Sequence, residues 1–351
     1  KSVVSLLIGV AIDEEKIESV DQLVSDFLPS FKEEEKAGIT IRHLLTMSSG
    51  LSWSESGKNP YSNNAEAYYG EHLSDLILGQ TVVAEPGKVF DYKSGDTQVL
   101  TYVLEAATGE TLTDYFNSKI WSHLNSEHMG YWNLDKEGGD EKGFCCLYLT
   151  TRDFARLAQF IIQKGVWNGK RLVSENFITK AIFPAKELLE KDGKVNNRYG
   201  WQWWYANYKG KDIHYGRGLL GQYYIAIPSD NLVVVRTGWK RKEVGDDGHT
   251  KDFWDCIRIA YKLIDNNIKD VSIAMQKENK ILNNKIEEIK EKEKTKLIQE
   301  DSTTSIDYPI VSSNSMYLVN KSHERIVNPL LPPERSNPYN THYITPIRSL
   351  G

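Results

Sequence analysis

Ala84-Glu85-Pro86-Gly87-Lys88-Val89-Phe90-Asp91-Tyr92-Lys93-Ser94-Gly95-Asp96 runs from a proline-glycine turn through an aromatic pair into a short polar stretch. Pro86 fixes its own φ and Gly87 admits a left-handed backbone, so the chain turns there and presents Tyr92 and, two residues on, Ser94 from a loop. A tyrosine placed in this way can pass a proton to a departing group. Upstream, Ile39-Thr40-Ile41-Arg42-His43-Leu44-Leu45-Thr46-Met47-Ser48-Ser49-Gly50-Leu51 reads as a capped short helix running into a glycine turn, with His43 a capping or packed residue, not a base. At the start, Lys1-Ser2-Val3-Val4-Ser5-Leu6-Leu7-Ile8-Gly9 places a lysine at the head of an apolar run with the texture of a buried helix.

Acyl transfer by a serine needs a nucleophile, a base within hydrogen-bond reach, oxyanion donors and a way to protonate the leaving group. One solution sets Ser and Lys one helical turn apart, where both side chains leave the same face and burial lowers the lysine's basicity enough for it to relay the serine proton. Lys1 alone is only a charge; Tyr92 and the ordered segments around it give it chemical meaning.

Taken in order, these segments resemble the serine β-lactamase-like family, which includes class C β-lactamases, D-Ala-D-Ala carboxypeptidases, esterases and 6-aminohexanoate-dimer hydrolases. The family's Ser-x-x-Lys-Ser, His-Leu-Leu-Thr-x-x-Ser-Gly-Leu and Pro-Gly-x-x-Phe-x-Tyr patterns fall on Lys1-Ser2, His43 to Leu51 and Pro86 to Tyr92. Its third motif, Lys-Thr-Gly or His-x-Gly, is best matched by His214-Tyr215-Gly216. The resemblance covers about residues 1–265. It implies an α+β fold, an antiparallel sheet flanked by helices plus an all-helical subdomain; the composition after Asp265 adds a helical linker and a disordered tail. The resemblance also implies Lys1 as general base, Tyr92 as proton shuttle and an acyl-enzyme hydrolysed by water. Ser94, His214, Gly216, Gly221 and Gln222 are implied on the substrate and oxyanion side, with His214 an electrostatic or hydrogen-bonding substrate contact.

Two departures bear on substrate. Tyr92-Lys93-Ser94 stands where β-lactamases carry Tyr-x-Asn, and His214 stands in place of a lysine. Both favour an ester, amide or peptide over β-lactam turnover. A third concerns the nucleophile: no Ser-x-x-Lys occurs within the chain, and the implied serine falls three positions before Lys1. The expectation is a chain truncated just after its nucleophile, catalytically inert, with an unpaired sheet edge and poor solubility. A penicillin-binding sensor and a non-catalytic interaction protein or fusion artefact are the alternatives.

Outside the motifs, Thr151 to Gly165 sets Phe154, Leu157, Ala158 and Ile161 on one face, predicting an amphipathic helix with a threonine cap and a glycine stop. Tyr223–Ile227 and Leu232–Val235 flank Pro228 to Asn231 as an antiparallel hairpin. Tyr199 to Tyr205 concentrates aromatic rings, read mainly as core and secondarily as a cleft wall. Residues 266–300 read as a charged helix or weak coiled coil, and 301–351, rich in Ser, Asn, Pro and Tyr, as an extended or disordered tail whose partner is open.

With 351 residues, 40% hydrophobic and 11% aromatic, the chain has material for a large core. A net charge of −5, with both signs interspersed, offers no nucleic-acid footprint, and no apolar run is long enough to span a membrane. Cys145, Cys146 and Cys256 are too few and too oddly spaced for a disulfide framework or zinc site, so they are expected as small buried residues. No metal or organic cofactor is implied. A periplasmic or extracellular location follows from the family resemblance, without an export signal in the chain.

Overall fold

The computed structural model describes residues 1–56, 59–265, 280–281, 283–290, 326–327 and 343–347. It divides into two units, Lys1–Thr250 with Asn320–Gly351, and Lys251–Val319. The first is the mixed helix-and-sheet fold expected from the motifs. Its helices are α1 (Ser2–Asp13), α2 (Ile41–Leu45), α3 (Asn63–Tyr69), α4 (Leu73–Leu78), α5 (Ser94–Thr108) and α6 (Leu112–Lys119). Strands β1 (Gly130–Asn133) and β2 (Leu147–Tyr148), helix α7 (Thr151–Ile162), strands β3 (Val166–Trp167) and β4 (Lys170–Arg171), and helix α8 (Glu175–Ile182) follow. A four-stranded antiparallel meander closes the run: β5 (Trp204–Tyr208), β6 (Lys211–Gly218), β7 (Gln222–Ile227) and β8 (Leu232–Arg236).

Helix α1 is the pivot. Ser2 through Ala11 are all buried, as its nearly uninterrupted apolar sequence demands, and it packs on α5, α6 and α8. Each fully buried Leu, Ile or Val contributes about 1.5–3 kcal/mol relative to exposure, so the helix that carries Lys1 is among the firmest parts of the molecule. Gln202 fastens it to its neighbours: its carbonyl accepts from Ser2 Oγ at 2.7 Å, its Oε1 from Thr97 Oγ1 of α5 at 2.7 Å, and its Nε2 donates to Leu44 O of α2 at 2.9 Å.

On the sheet, α7 packs across β7 and β8. Thr150 Oγ1 caps α7, Leu157, Ala158, Phe160 and Ile161 are buried, and the Phe154 ring stacks on Tyr224 with centroids 5.6 Å apart. The hairpin runs in the register Ile227 to Leu232 and Ala226 to Val233, with Asn231 taking the left-handed conformation at φ +48°.

The two family-like segments of the helical part are held by each other. Val83 N and Ala84 N donate to Gly50 O, Gly87 N to Ser48 O and Asp91 N to Met47 O. Gly50 (φ +73°) and Gly87 (φ +76°) are required: a Cβ on the first would meet Ala84 O at 2.0 Å, and on the second His43 Nε2 at 2.8 Å. His43 itself closes a capping box with Thr40, worth about 1 kcal/mol to the short helix.

Two expectations are changed. Cys145 and Cys146 are half-buried and joined to each other as a disulfide, because adjacent residues satisfy the bond with no closing loop, which spacing rules never consider. The tail is not wholly irregular: β10 (Tyr343–Ile347) pairs antiparallel with β1, Gly130 opposite Ile347, and with β9 (Ile326–Val327). Strands this short, one of them interrupted by Pro346, carry little sequence signal. In the second unit, α9 (Lys251–Asp265) carries an Arg258–Asp255 ion pair, and residues 280–281 and 283–290 are helical with Ile281, Ile286 and Ile289 exposed. The rest of the predicted linker and tail lies outside the described residues. No described helix is long and apolar enough to cross a membrane.

Candidate active site

Three elements converge on one point. Lys1 is the N-cap of helix α1, α5 starts at Ser94, and the loop of residues 52–56 brings Glu55 between them. Lys1 Nζ donates to Ser94 Oγ at 2.9 Å and to Phe144 O at 2.6 Å, and lies 5.3 Å from the centre of the Tyr92 ring. Ser94 in turn donates its hydroxyl to Glu55 Oε1 and its backbone N–H to Glu55 Oε2, both at 2.8 Å. Helix α5 has no side-chain cap from its own N-cap residue, Lys93. A carboxylate from a distant loop fills that position, where exposed N–H groups and the helix dipole favour negative charge.

The electrostatics follow from burial. Desolvation pulls the Lys1 ammonium down to about 8, opposed by the Glu55 charge. At pH 7 about a tenth of Lys1 is then the free amine, far more than for an ordinary lysine. Desolvation, with Glu55 adding to it, pushes the Tyr92 phenol well above its ordinary value, so it stays protonated throughout the physiological range; only Arg217 pulls the other way.

A cleft of about 510 Å³ opens beside this point, lined among others by Trp53, Glu55, Phe90, Tyr92, Arg198 and Trp204. That volume suits a small molecule. The Tyr92 ring is fixed by Tyr199, edge-on at 5.7 Å, and by Trp204 at 5.6 Å. Of the aromatic cluster, Tyr199, Trp201, Trp203 and Trp204 are all buried, yet Trp204 also forms cleft wall, so both readings of the cluster hold in part. Beneath the Tyr92 loop, buried Lys93 pairs with Asp91 at 3.2 Å, and Asp96 accepts from Ser49 Oγ at 2.6 Å. Asp96 is raised to about 7, chiefly by burial.

Of the residues predicted from sequence, Lys1, Tyr92 and Ser94 come together, while the other four sit elsewhere. His214 is buried with its Nδ1 2.9 Å from Ile182 O, packed between Phe183 and Tyr205, and is absent from the cleft wall. Alternation along β6 explains the correction, since side chains on a strand switch face at every residue. Tyr215 and Arg217 take the other face, where the Arg217 guanidinium lies 4.5 Å from the centre of the Trp204 ring. Gly216 gives room to Tyr224, whose ring a Cβ would meet at 2.1 Å. Gly221, at φ +81°, shapes the β6–β7 turn and accepts from Arg236, and Gln222 is exposed where β7 begins. Glu55 and Arg217 were not anticipated; Arg217 stood three residues from the histidine chosen by type, on the opposite face.

The family model described as Beta-lactamase matches residues 1–252. Among characterised proteins, the chain is 23% identical over 257 residues to the 6-aminohexanoate-dimer hydrolase of Paenarthrobacter ureafaciens, covering 68% of this chain and 64% of that one. The chain thus spans somewhat less than two thirds of that relative's length. Among solved structures, it is similar to a family VIII carboxylesterase (TM-score 0.58, 18% identity, 74% of this chain and 80% of that one). It is also similar to a D-stereospecific amidohydrolase from Streptomyces sp. (TM-score 0.55, 14% identity, 74% and 84%). At those identities the likeness is one of fold.

Proposed function

Because the chain belongs to the beta-lactamase family, we propose that it forms the catalytic core of a serine hydrolase acting on an ester, amide or peptide bond through an acyl-enzyme. The observation that carries this reading is the Lys1 amine, lowered to about 8 and held by Ser94 Oγ and Phe144 O beside Tyr92. In the proposed reaction a serine one helical turn ahead of Lys1 attacks the substrate carbonyl, and Lys1 takes its proton. Tyr92, protonated and within the same contact group, delivers a proton to the leaving alcohol or amine. Water then attacks the acyl-enzyme and the same groups return the proton in reverse. In this reading Arg217, whose guanidinium lies 4.5 Å from the centre of the ring of the cleft-wall residue Trp204, takes the substrate-contact role in place of His214.

The substrate is read as an ester or amide smaller than the 510 Å³ cleft. Similarity to a 6-aminohexanoate-dimer hydrolase, a carboxylesterase and an amidohydrolase supports this substrate class. The test is expression of the source gene's complete reading frame, treatment with p-nitrophenyl esters, short linear amides and a fluorescent penicillin, and repetition with Lys1→Met and Tyr92→Phe. Turnover lost in both variants supports the reading; turnover indifferent to Lys1 refutes it. Labelling by penicillin without turnover of any substrate would identify the sensor alternative instead.

A further inference from the structure

Lys1 works as a base only if its lone pair is free, and the hydrogen bonds around Ser94 decide that. A neutral lysine amine has two N–H groups and one lone pair. Its two acceptors are Ser94 Oγ at 2.9 Å and Phe144 O at 2.6 Å. With both N–H groups so engaged, the lone pair takes the remaining direction, away from both acceptors. The carbonyl is an acceptor by nature; the serine hydroxyl is not, since it can equally turn its own proton onto the amine. That alternative is closed because the one Ser94 hydroxyl proton is donated to Glu55 Oε1.

Glu55 is locked in turn. Its Oε2 accepts from Ser94 N at 2.8 Å and from Trp53 Nε1 at 2.6 Å, two donors that have no acceptor capacity. The Trp53 ring is seated over Gly95, where a Cβ would lie 2.8 Å from it. We propose that Glu55 is a positioning residue: by holding the Ser94 proton it fixes Ser94 as an acceptor and so keeps the lone pair of Lys1 available for the reacting serine. This rests on the reading of Lys1 as the base and adds a residue to it. The groups about the amine are the Ser94 hydroxyl, the Phe144 carbonyl, the ring faces of Tyr92 and Phe144, and the Glu55 charge, with Arg217 beyond Tyr92.

The discriminating variant is Glu55→Gln, nearly identical in shape. Its amide oxygen must face Ser94 N and Trp53 Nε1, because the amide nitrogen cannot accept from them; its NH2 then faces Ser94 Oγ and donates. The Ser94 proton is displaced toward Lys1 and occupies the lone pair. In the full-length protein with 13Cε-labelled lysine, Lys1 assigned through Lys1→Arg, the expected result is a Lys1 titration lowered by about one pH unit. With an ester substrate, kcat falls about thirtyfold while KM changes little. In a Ser94→Ala background the same substitution costs less than about threefold in kcat, because the residue it acts through is gone. Glu55→Asp, which keeps the charge but shortens the reach, lowers kcat while leaving the Lys1 titration near that of the wild type; it also serves if the Gln variant folds poorly by circular dichroism.

An unchanged Lys1 titration in Glu55→Gln, or an equal kcat loss with and without Ser94, overturns the proposal. Absence of turnover in every form, with the Glu55→Gln shift of the Lys1 titration present beside Ser94 and abolished in the Ser94→Ala background, supports the arrangement and overturns only the hydrolase reading; a shift of equal size in both backgrounds reports the lost Glu55 charge alone and overturns the proposal.

Discussion

Two lysines of this molecule have been driven to the same basicity by the same cause, and our proposal gives a catalytic role to only one of them. Lys1 and Lys142 are both lowered to about 8, in each case by burial opposed by one carboxylate, Glu55 for the first and Asp135 for the second. Lys142 is fully buried, donates to Tyr68 O at 2.8 Å, and its own carbonyl receives Trp132 Nε1 at 2.8 Å. Around it the other donors are already used, Asp135 accepting from the backbone of Leu73, Lys136 and Asp140. Lys1 stands instead beside Tyr92 and a carboxylate of the cleft wall, with a hydroxyl in reach. A depressed lysine is therefore a mark of burial first, and of catalysis only where a proton acceptor and an opening are beside it.

The sharpest way to break the contrast is to remove each ammonium. Lys1→Met is expected to lower kcat/KM by about 10³-fold or more in ester hydrolysis, whereas Lys142→Met leaves it within about threefold. Comparable losses from both would show that the two sites are not functionally distinct. Next in size, Tyr92→Phe keeps the ring contacts with Tyr199 and Trp204 and deletes only the hydroxyl, so kcat should drop about 10²-fold with a thermal midpoint close to that of the wild type. A third comparison pits two basic residues on opposite faces of β6: Arg217→Ala should raise KM about tenfold, while His214→Ala should leave kinetics nearly unchanged. Loss of His214 also strands the buried Ile182 carbonyl, at a cost of about 2 kcal/mol in denaturant unfolding.

In the pH dependence of stability the two lysines behave alike, and Lys142 is the one whose removal tests it. A lysine whose folded value is about 8, against an ordinary 10.5, binds fewer protons folded than unfolded between those values, so stability rises with pH across that window. Below about 8 both states are protonated and the burial penalty is present in full. Lys142→Met should flatten that rise by up to about 3 kcal/mol, an upper bound set by the displacement from 10.5, in urea titrations run from pH 7 to 10.5. An unaltered slope would mean Lys142 is not displaced. The smallest effect concerns the Cys145–Cys146 disulfide: reduction should raise the thiol count by two, read by thiol titration after unfolding.

How far the sequence carried these conclusions differs from element to element. Helix α7 and the β7–β8 hairpin were legible because each has a single period and explicit end signals, a threonine cap, a glycine stop, a Pro-Ser-Asp-Asn turn. Tyr92 was legible because Pro86 and Gly87 fix the turn that delivers it. His214 was misjudged because a motif sought by residue type leaves strand register open, and a shift from one face to the other depends on partners that only the sheet supplies. Glu55 was invisible for another reason: it lies in an irregular loop, and its meaning comes entirely from Ser94, which is 39 positions away in sequence. The paired tail strand β10 and the vicinal disulfide likewise depend on tertiary proximity and not on pattern.

The most direct measurement is the pH profile of kcat/KM for a p-nitrophenyl ester, taken from pH 6 to 10 on the full-length protein and on Lys1→Met. If Lys1 is the base, activity rises with pH through an apparent value near 8, because the amine must be unprotonated to accept the serine proton, and the variant shows no such rise. A profile flat across that range, or the same rise retained in Lys1→Met, would contradict the assignment of the reaction to this site.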